Sequence, residues 1–130
     1  MDQSLLDVAV EAMKNAYAPY SNFKVGSAIR SSNNKVFSGA NVENAAYPEG
    51  CCAESSAISA MIRDGEQVIS EIVVVGISDN LVTPCGGCRQ KIREFSNEAT
   101  KIYVCSPEGL KKTYNIEQLL PDSFGPENLA

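Results

Sequence analysis

The chain contains no histidine. Imidazole is the side chain whose ordinary pKa puts its charge change between pH 5 and 8. Any acid/base chemistry near neutrality must therefore come from a tuned carboxyl, a thiol or a metal-bound water. Long apolar stretches are missing too: the run Ile72-Val73-Val74-Val75 is far short of the ~20 residues that span a bilayer. The N-terminus, Met1-Asp2-Gln3-Ser4-Leu5-Leu6-Asp7, has no basic stretch and no apolar segment of export length, so no secretory signal is read and a cytoplasmic protein is expected. Basic runs are also absent. Net charge is −5, the longest cationic feature is Lys111-Lys112, and Arg89, Lys91 and Arg93 are spread along one predicted helix. Such a chain repels a phosphate backbone, which argues against nucleic acid as a partner and leaves a single neutral nucleoside open. No linker, internal repeat or low-complexity tract breaks the sequence.

What the chain has is an ordinary globular composition, 44% hydrophobic and 21% charged over 130 residues. Residues 1–130 are read as one domain, long enough to bury roughly two-thirds of its unfolded surface and to fold without a metal. The five cysteines are odd in number. With no export signal, they point to metal binding or free thiols rather than disulfides.

Residues 4 to 17 carry Leu5, Val8, Ala12 or Met13, and Ala16 near helical spacing, with Pro19 as a stop. Residues 23 to 30 alternate, Ser31-Ser32-Asn33-Asn34 turns, and residues 35 to 40 follow, which predicts a β-hairpin. Residues 41 to 50 form a loop with polar cargo. From Cys52, Ala57, Ile58, Met61 and Ile62 predict a helix ended by Asp64-Gly65. Residues 71 to 77 suit a strand covered on both faces, residues 87 to 96 a helix, and residues 101 to 105 a strand parallel to the earlier one. Residues 111 to 115 fit an edge strand, 116 to 120 a short helix, and 121 to 130 a tail. The fold class predicted is α/β, a three-layer α/β/α sandwich around a mixed five-stranded sheet.

Two stretches organise the chemistry: Glu49-Gly50-Cys51-Cys52-Ala53-Glu54 and Thr83-Pro84-Cys85-Gly86-Gly87-Cys88-Arg89-Gln90. Three thiolates fill three of the four tetrahedral positions of Zn²⁺, and a catalytic zinc keeps the fourth for water, whereas a structural site is normally closed by four protein ligands. Zinc brings the pKa of bound water from 15.7 to about 7, so hydroxide is available without a histidine. Both halves of the motif open predicted helices, where the backbone dipole favours thiolate. Cys52 and Glu54 can converge only if Cys52 lies before the helix is fully formed, because i and i+2 otherwise point to nearly opposite sides. On residues alone, a structural zinc knot closed by Cys105 or a redox Cys-x-x-Cys stays open, and Cys51 rivals Cys52 as ligand.

The two stretches resemble the cysteine-type, free-nucleoside cytidine deaminases, through Cys52-Ala53-Glu54 and Pro84-Cys85-Gly86-Gly87-Cys88-Arg89-Gln90. The zinc-deaminase pattern is a close relative of the same design. Tyr20-Ser21-Asn22-Phe23-Lys24-Val25-Gly26-Ser27-Ala28, Asn41-Val42-Glu43-Asn44-Ala45-Ala46-Tyr47-Pro48 and Leu119-Leu120-Pro121-Asp122-Ser123-Phe124-Gly125-Pro126 are similar to family segments in the same order, so the resemblance runs over nearly the whole chain. It implies hydrolytic conversion of cytidine or 2′-deoxycytidine to the uracil nucleoside in pyrimidine salvage, with one zinc per subunit of a homotetramer. Cys52, Cys85 and Cys88 are implied as zinc ligands, and Glu54 as the carrier of the water's proton to N3 and then to ammonia. Phe23 is implied to pack on the base, the Ala53 backbone to read it, and Asn41 and Glu43 to hold the ribose. Ala45, Tyr47 and Phe124 are implied to come from neighbouring subunits.

Glu43 and Asn41 suit a sugar hydroxyl on chemistry alone, since together they accept and donate, and the carboxylate repels a 5′-phosphate. By pattern alone Phe23 serves equally as a core residue, Asn41 and Glu43 as a solvated turn, and Tyr47 and Phe124 as aromatics packed within their own subunit. Arg89 and Gln90 read as helix and interface residues. One slot departs from the family: Ser55 stands where an arginine after the catalytic glutamate is common. A different aminopyrimidine as substrate is the alternative within the same chemistry.

Overall fold

A computed structural model of the chain describes residues 1–129. A five-stranded sheet in the order β2-β1-β3-β4-β5 runs through it. β1 (Val25–Ser31) and β2 (Val36–Ala40) form the predicted hairpin, closed through Asn34 in the left-handed region (φ 62°), a conformation asparagine tolerates. β3 (Ile69–Gly76) lies antiparallel to β1 and parallel to β4 (Lys101–Ser106). β5 (Gly109–Tyr114) closes the sheet as an antiparallel edge, and its Lys111 and Lys112 are the kind of charge that blunts an exposed edge.

Among the described residues four helices cover the sheet, α1 (Gln3–Lys14), α2 (Ala53–Arg63), α3 (Gly86–Glu94) and α4 (Ile116–Leu119), with single-turn 3₁₀ helices at Tyr47–Glu49 and Pro126–Asn128. α1 ends before the predicted residue 17. The Asn15 N–H caps the carbonyls of Ala12 and Met13. The Tyr17 N–H then goes to the Asn41 carbonyl at 3.0 Å, and the Glu43 N–H to the Tyr17 carbonyl at 2.8 Å. The chain leaves the helix because its backbone is recruited by the segment after β2, a long-range pairing that local periodicity does not report. α2 ends where predicted, with Asp64 as its C-cap and Gly65 at φ 87°, the left-handed position that favours glycine.

The two faces of the sheet are buried separately. Leu5, Leu6, Ala9 and Met13 of α1 pack with Ala28, Val73, Val75, Tyr103 and Cys105. On the opposite face Ala57, Ile58 and Met61 of α2, Ile92 of α3 and Leu119 of α4 pack with Ile29, Ile69, Ile72 and Ile102. Burying each of the larger side chains contributes about 1.5–3 kcal/mol. β3 serves both faces, as its run of β-branched residues predicts. The architecture is the expected α/β/α sandwich, with both cysteine-bearing helices on one face.

Candidate active site

After β2 the chain loops out and returns through a bridge between Val42 and Cys51, whose backbone groups exchange hydrogen bonds of 2.9 and 2.8 Å. That bridge commits the Cys51 backbone to the loop closure and delivers Cys52 to the N-cap of α2, with an extended backbone at φ −74° and ψ 158°. Ala53 and Glu54 follow in the first turn, buried. This non-helical residue 52 is what lets Cys52 and Glu54 line the same cavity. Cys85 occupies the matching position before α3 (φ −66°, ψ 168°), and Cys88 is in that helix's first turn. Cys52 and Cys85, the residues that begin the two helices, face each other across the site.

The Sγ atoms of Cys52, Cys85 and Cys88 all lie within 4.8 Å of one another, and Cys52 and Cys85 are 3.8 Å apart. A tetrahedron with Zn–S bonds of 2.3 Å has edges of about 3.8 Å. Cys51 stands outside the cluster, its thiol directed to the Cys52 carbonyl at 3.5 Å. Cys105 is buried in the α1 core, on the other side of the sheet, where burial pushes its thiol up to about 11; it closes no four-cysteine site. None of the five cysteines is in a disulfide.

The electrostatics of the cluster favour a cation at its centre. Burial works against ionisation of Cys85, but the Cys88 amide and the neighbouring thiols hold its pKa below the ordinary thiol value. Cys52 is raised by burial, with the Cys85 and Glu54 charges adding to it. Cys88 is raised furthest, by burial and then by Glu54, Cys52 and Cys85. Burial and mutual repulsion oppose a full set of three thiolates, a conflict that a divalent cation relieves. Both the donor set and its spacing fit zinc.

A cavity of about 300 Å³ opens beside the cluster, lined by Ser21, Phe23, Val25, Asn41, Glu43, Cys52, Ala53, Glu54, Val74, Val82, Thr83 and Cys85. Val74 lies on the sheet face that carries Ile72, one pleat further on, and so supplies the floor. Burial pushes the Glu54 carboxyl up, while the Cys88 thiol and the Lys91 charge work against the shift. Asn41 spends both side-chain groups on the loop before β1: its Oδ1 accepts from the Val25 N–H at 2.8 Å, and its Nδ2 donates to the Phe23 carbonyl at 2.9 Å. Glu43 accepts the Tyr20 and Ser21 N–H groups on Oε1 (2.9 and 3.0 Å) and the Ser21 hydroxyl on Oε2. The Ser21 and Tyr20 donors hold its carboxyl below the usual range. One amide hydrogen of Asn41 and part of Oε2 of Glu43 are left for a ligand.

Tyr47 lies beyond this cavity, 76% exposed, in edge contact with Tyr20 at 5.9 Å. It lines a second hollow of about 350 Å³ that shares Ser21 and Glu43 with the first. Ala45 lines neither. Phe124, 59% exposed, is also outside both; its carbonyl accepts from Gln90 Nε2 at 2.9 Å. Arg89 does more than its helix position suggests: Nε donates to the Pro84 carbonyl at 2.7 Å, Nη1 to the Leu119 carbonyl at 2.9 Å and Nη2 to the Thr83 hydroxyl at 3.1 Å. It fixes the loop ahead of Cys85. Ser21, Val74, Val82 and Thr83 were not singled out from sequence. Ser21 sits two residues from Phe23 and Thr83 two before Cys85, the one signal that could have found them, whereas Val74 and Val82 are indistinguishable from core residues in the sequence.

Among the described residues no helix is long and apolar enough to cross a membrane. The family model for the cytidine and deoxycytidylate deaminase zinc-binding region matches residues 1–106. A cytidine deaminase of Halalkalibacterium halodurans is 36% identical over 127 residues, covering 98% of this chain and 96% of its own. One of Mycoplasma genitalium is 40% identical over 113 residues, 86% of each. The crystal structure of cytidine deaminase from Burkholderia pseudomallei superposes with a TM-score of 0.89 at 37% identity, covering 95% of this chain and 99% of that one. With the cysteine cluster, the buried glutamate and these likenesses over nearly its full length, the chain belongs to the cytidine and deoxycytidylate deaminase family.

Proposed function

We propose that the protein is a zinc-dependent hydrolase that converts cytidine and 2′-deoxycytidine to uridine and 2′-deoxyuridine with release of ammonia. The observation that carries this is the buried Glu54, 4% exposed, beside a three-cysteine cluster at the end of a cavity of nucleoside size. Cys52, Cys85 and Cys88 hold one zinc per subunit. Bound zinc supplies a Lewis acid that makes water nucleophilic near neutral pH.

Glu54 is the proton carrier. It accepts a proton as water adds to C4 and delivers it to N3, then takes the proton of the new C4 hydroxyl and gives it to the amino nitrogen, so that the C4–N bond breaks, C4=O forms and ammonia leaves. Its burial suits the task, because desolvation raises the carboxyl above its ordinary range and so makes it a better proton acceptor. Phe23 packs on the pyrimidine, and the Ala53 backbone reads its edge. Asn41 and Glu43 have just enough unspent hydrogen-bonding capacity for a ribose hydroxyl, and the Glu43 carboxylate turns away a 5′-phosphate. A nucleoside is therefore preferred to a nucleotide.

The chain works as one domain over residues 1–130 in a cytoplasmic homotetramer that salvages pyrimidines. Support for assembly comes from Tyr47 and Phe124, large aromatics left exposed outside their own chain's cavity. With Ala45 they complete a neighbour's site. The test is to measure zinc per chain, follow cytidine's ultraviolet change, and repeat with Glu54→Gln. Stoichiometric zinc, turnover by wild type and none by the variant are expected. Zinc without turnover of any cytosine nucleoside would overturn the function, and equal activity in the variant would remove Glu54 from it. Gel filtration should give a tetramer; a fully active monomer refutes the shared site.

A further inference from the structure

Three thiolates and a divalent zinc sum to −1, and the buried carboxyl of Glu54 stands beside them. Net negative charge in a partly desolvated site calls for a nearby cation. Arg89 follows Cys88 directly, but its guanidinium is committed to two carbonyls and a hydroxyl, all neutral. The residue after Glu54 is Ser55, which carries no charge.

Lys91 is the other cation at hand. It lies three residues beyond Cys88 on α3, one turn along the same helix face. Its ammonium reaches across to α2, 3.4 Å from the Ser55 Oγ. Among the described residues no carboxylate lies within ion-pair distance of it. Its charge also favours the ionised form of Glu54. Ser55 thus docks a flexible cation between the two helices whose N-termini carry the cysteines.

We propose that Lys91, held by Ser55, is the cation that balances the zinc–thiolate cluster, a positioning residue that acts through its charge from α3. The inference rests on the reading of Cys52, Cys85 and Cys88 as the zinc ligands, and the experiment separates the two. Zinc affinity is measured by competition with a chelator at low and at 1 M salt for Lys91→Arg, Lys91→Met and Lys91→Glu, with Cys52→Ser alongside. Lys91→Arg should keep wild-type affinity. Lys91→Met should weaken it about threefold and Lys91→Glu about tenfold, the scale of exposed charge interactions, and both losses should shrink in 1 M salt, where the screening length is about 3 Å.

Adding Ser55→Arg to Lys91→Met should restore affinity by putting a cation back. A hydrogen-bonding role alone predicts equal losses for the Met and Glu variants, insensitive to salt, and that result overturns the proposal. Wild-type affinity throughout the series overturns it too, leaving the ligand reading intact if Cys52→Ser still loses zinc. Zinc retained by Cys52→Ser sinks the ligand reading itself. Lys91 is exposed, so these variants leave the core untouched.

Discussion

Gly39→Ala puts a methyl group against α2, the helix that carries Glu54, the proposed proton carrier. The added Cβ would lie 2.4 Å from the Ala57 nitrogen and 2.7 Å from both the Ala53 carbonyl oxygen and the Ser56 Cβ. Comfortable carbon contacts are at about 3.5 Å, so β2 and the first turns of α2 must part by roughly 1 Å. Overpacking of this kind costs about 1–3 kcal/mol, a fall in Tm of roughly 4–12 °C for a chain of this size. The same displacement moves Glu54 and Cys52, and a 1 Å misplacement of reacting groups lowers turnover about 10²-fold. Gly26→Ala is the matched control. Its Cβ would sit 2.0 Å from the Ala9 carbonyl oxygen and 2.7 Å from the Met13 nitrogen, both on α1 across the sheet. It should cost at least as much stability and little turnover per folded molecule. The assays are thermal melts, zinc content and kcat, all below the lower of the two melting points. A Gly39→Ala protein with depressed Tm and wild-type kcat, or a Gly26→Ala protein that loses as much kcat, would refute the reasoning.

Asn41→Ala removes the acceptor of the Val25 N–H and the donor to the Phe23 carbonyl; it should cost about 1–3 kcal/mol and raise KM more than it lowers kcat, with zinc content unchanged. Arg89→Lys cannot reproduce a three-armed fork, so it should lower Tm and speed the loss of zinc to a chelator in a stopped-flow trace. Glu66 accepts from the Ser31 hydroxyl at 2.6 Å and from Asn33 Nδ2 at 3.2 Å, which hold its carboxyl below the usual range. A carboxyl lowered on folding adds stability above its unfolded pKa of about 4.3 that is lost as pH falls through the folded value. Glu66→Gln should therefore lower Tm at pH 7 and flatten the acid limb of a Tm-against-pH curve.

The elements that sequence made legible are those whose signals are local. The hairpin, the doubly buried β3 and the helix beginning at residue 53 follow from alternation, β-branching and 3.6-residue spacing. The motif spacing made three cysteines at two helix starts legible, and the resemblance singled out Cys52, Cys85 and Cys88, the three that the structure brings together. What escaped depends on chain segments far apart in sequence. The early end of α1 is set by Tyr17 meeting Asn41; Cys52 is preferred to Cys51 by the register of the family resemblance, and the bridge of Cys51 to Val42 supplies the physical reason that local sequence does not. Asn41 reads by pattern as a solvated turn and by resemblance as a ribose contact, because nothing local announces that its amide braces the loop of Phe23. Arg89 looked like a helix residue because its acceptors, Thr83, Pro84 and Leu119, come from two other segments.

The two buried clusters share no residue, and the strands between them belong to both. The sheet therefore works as a partition. On one side Leu5, Leu6, Ala9 and Met13 seal α1 to the strands without help from any of the three clustered cysteines; on the other, the N-termini of α2 and α3 meet through Cys52 and Cys85, while Ile92 of α3 packs further along with Ala57, Ile58 and Met61 of α2. Stripping the metal should leave amide protons slow to exchange in α1 and β3 while those in the first turns of α2 and α3 become fast. The enzyme can then lose and regain its cofactor by opening a single side, with the other half of the molecule keeping the template onto which that side closes again.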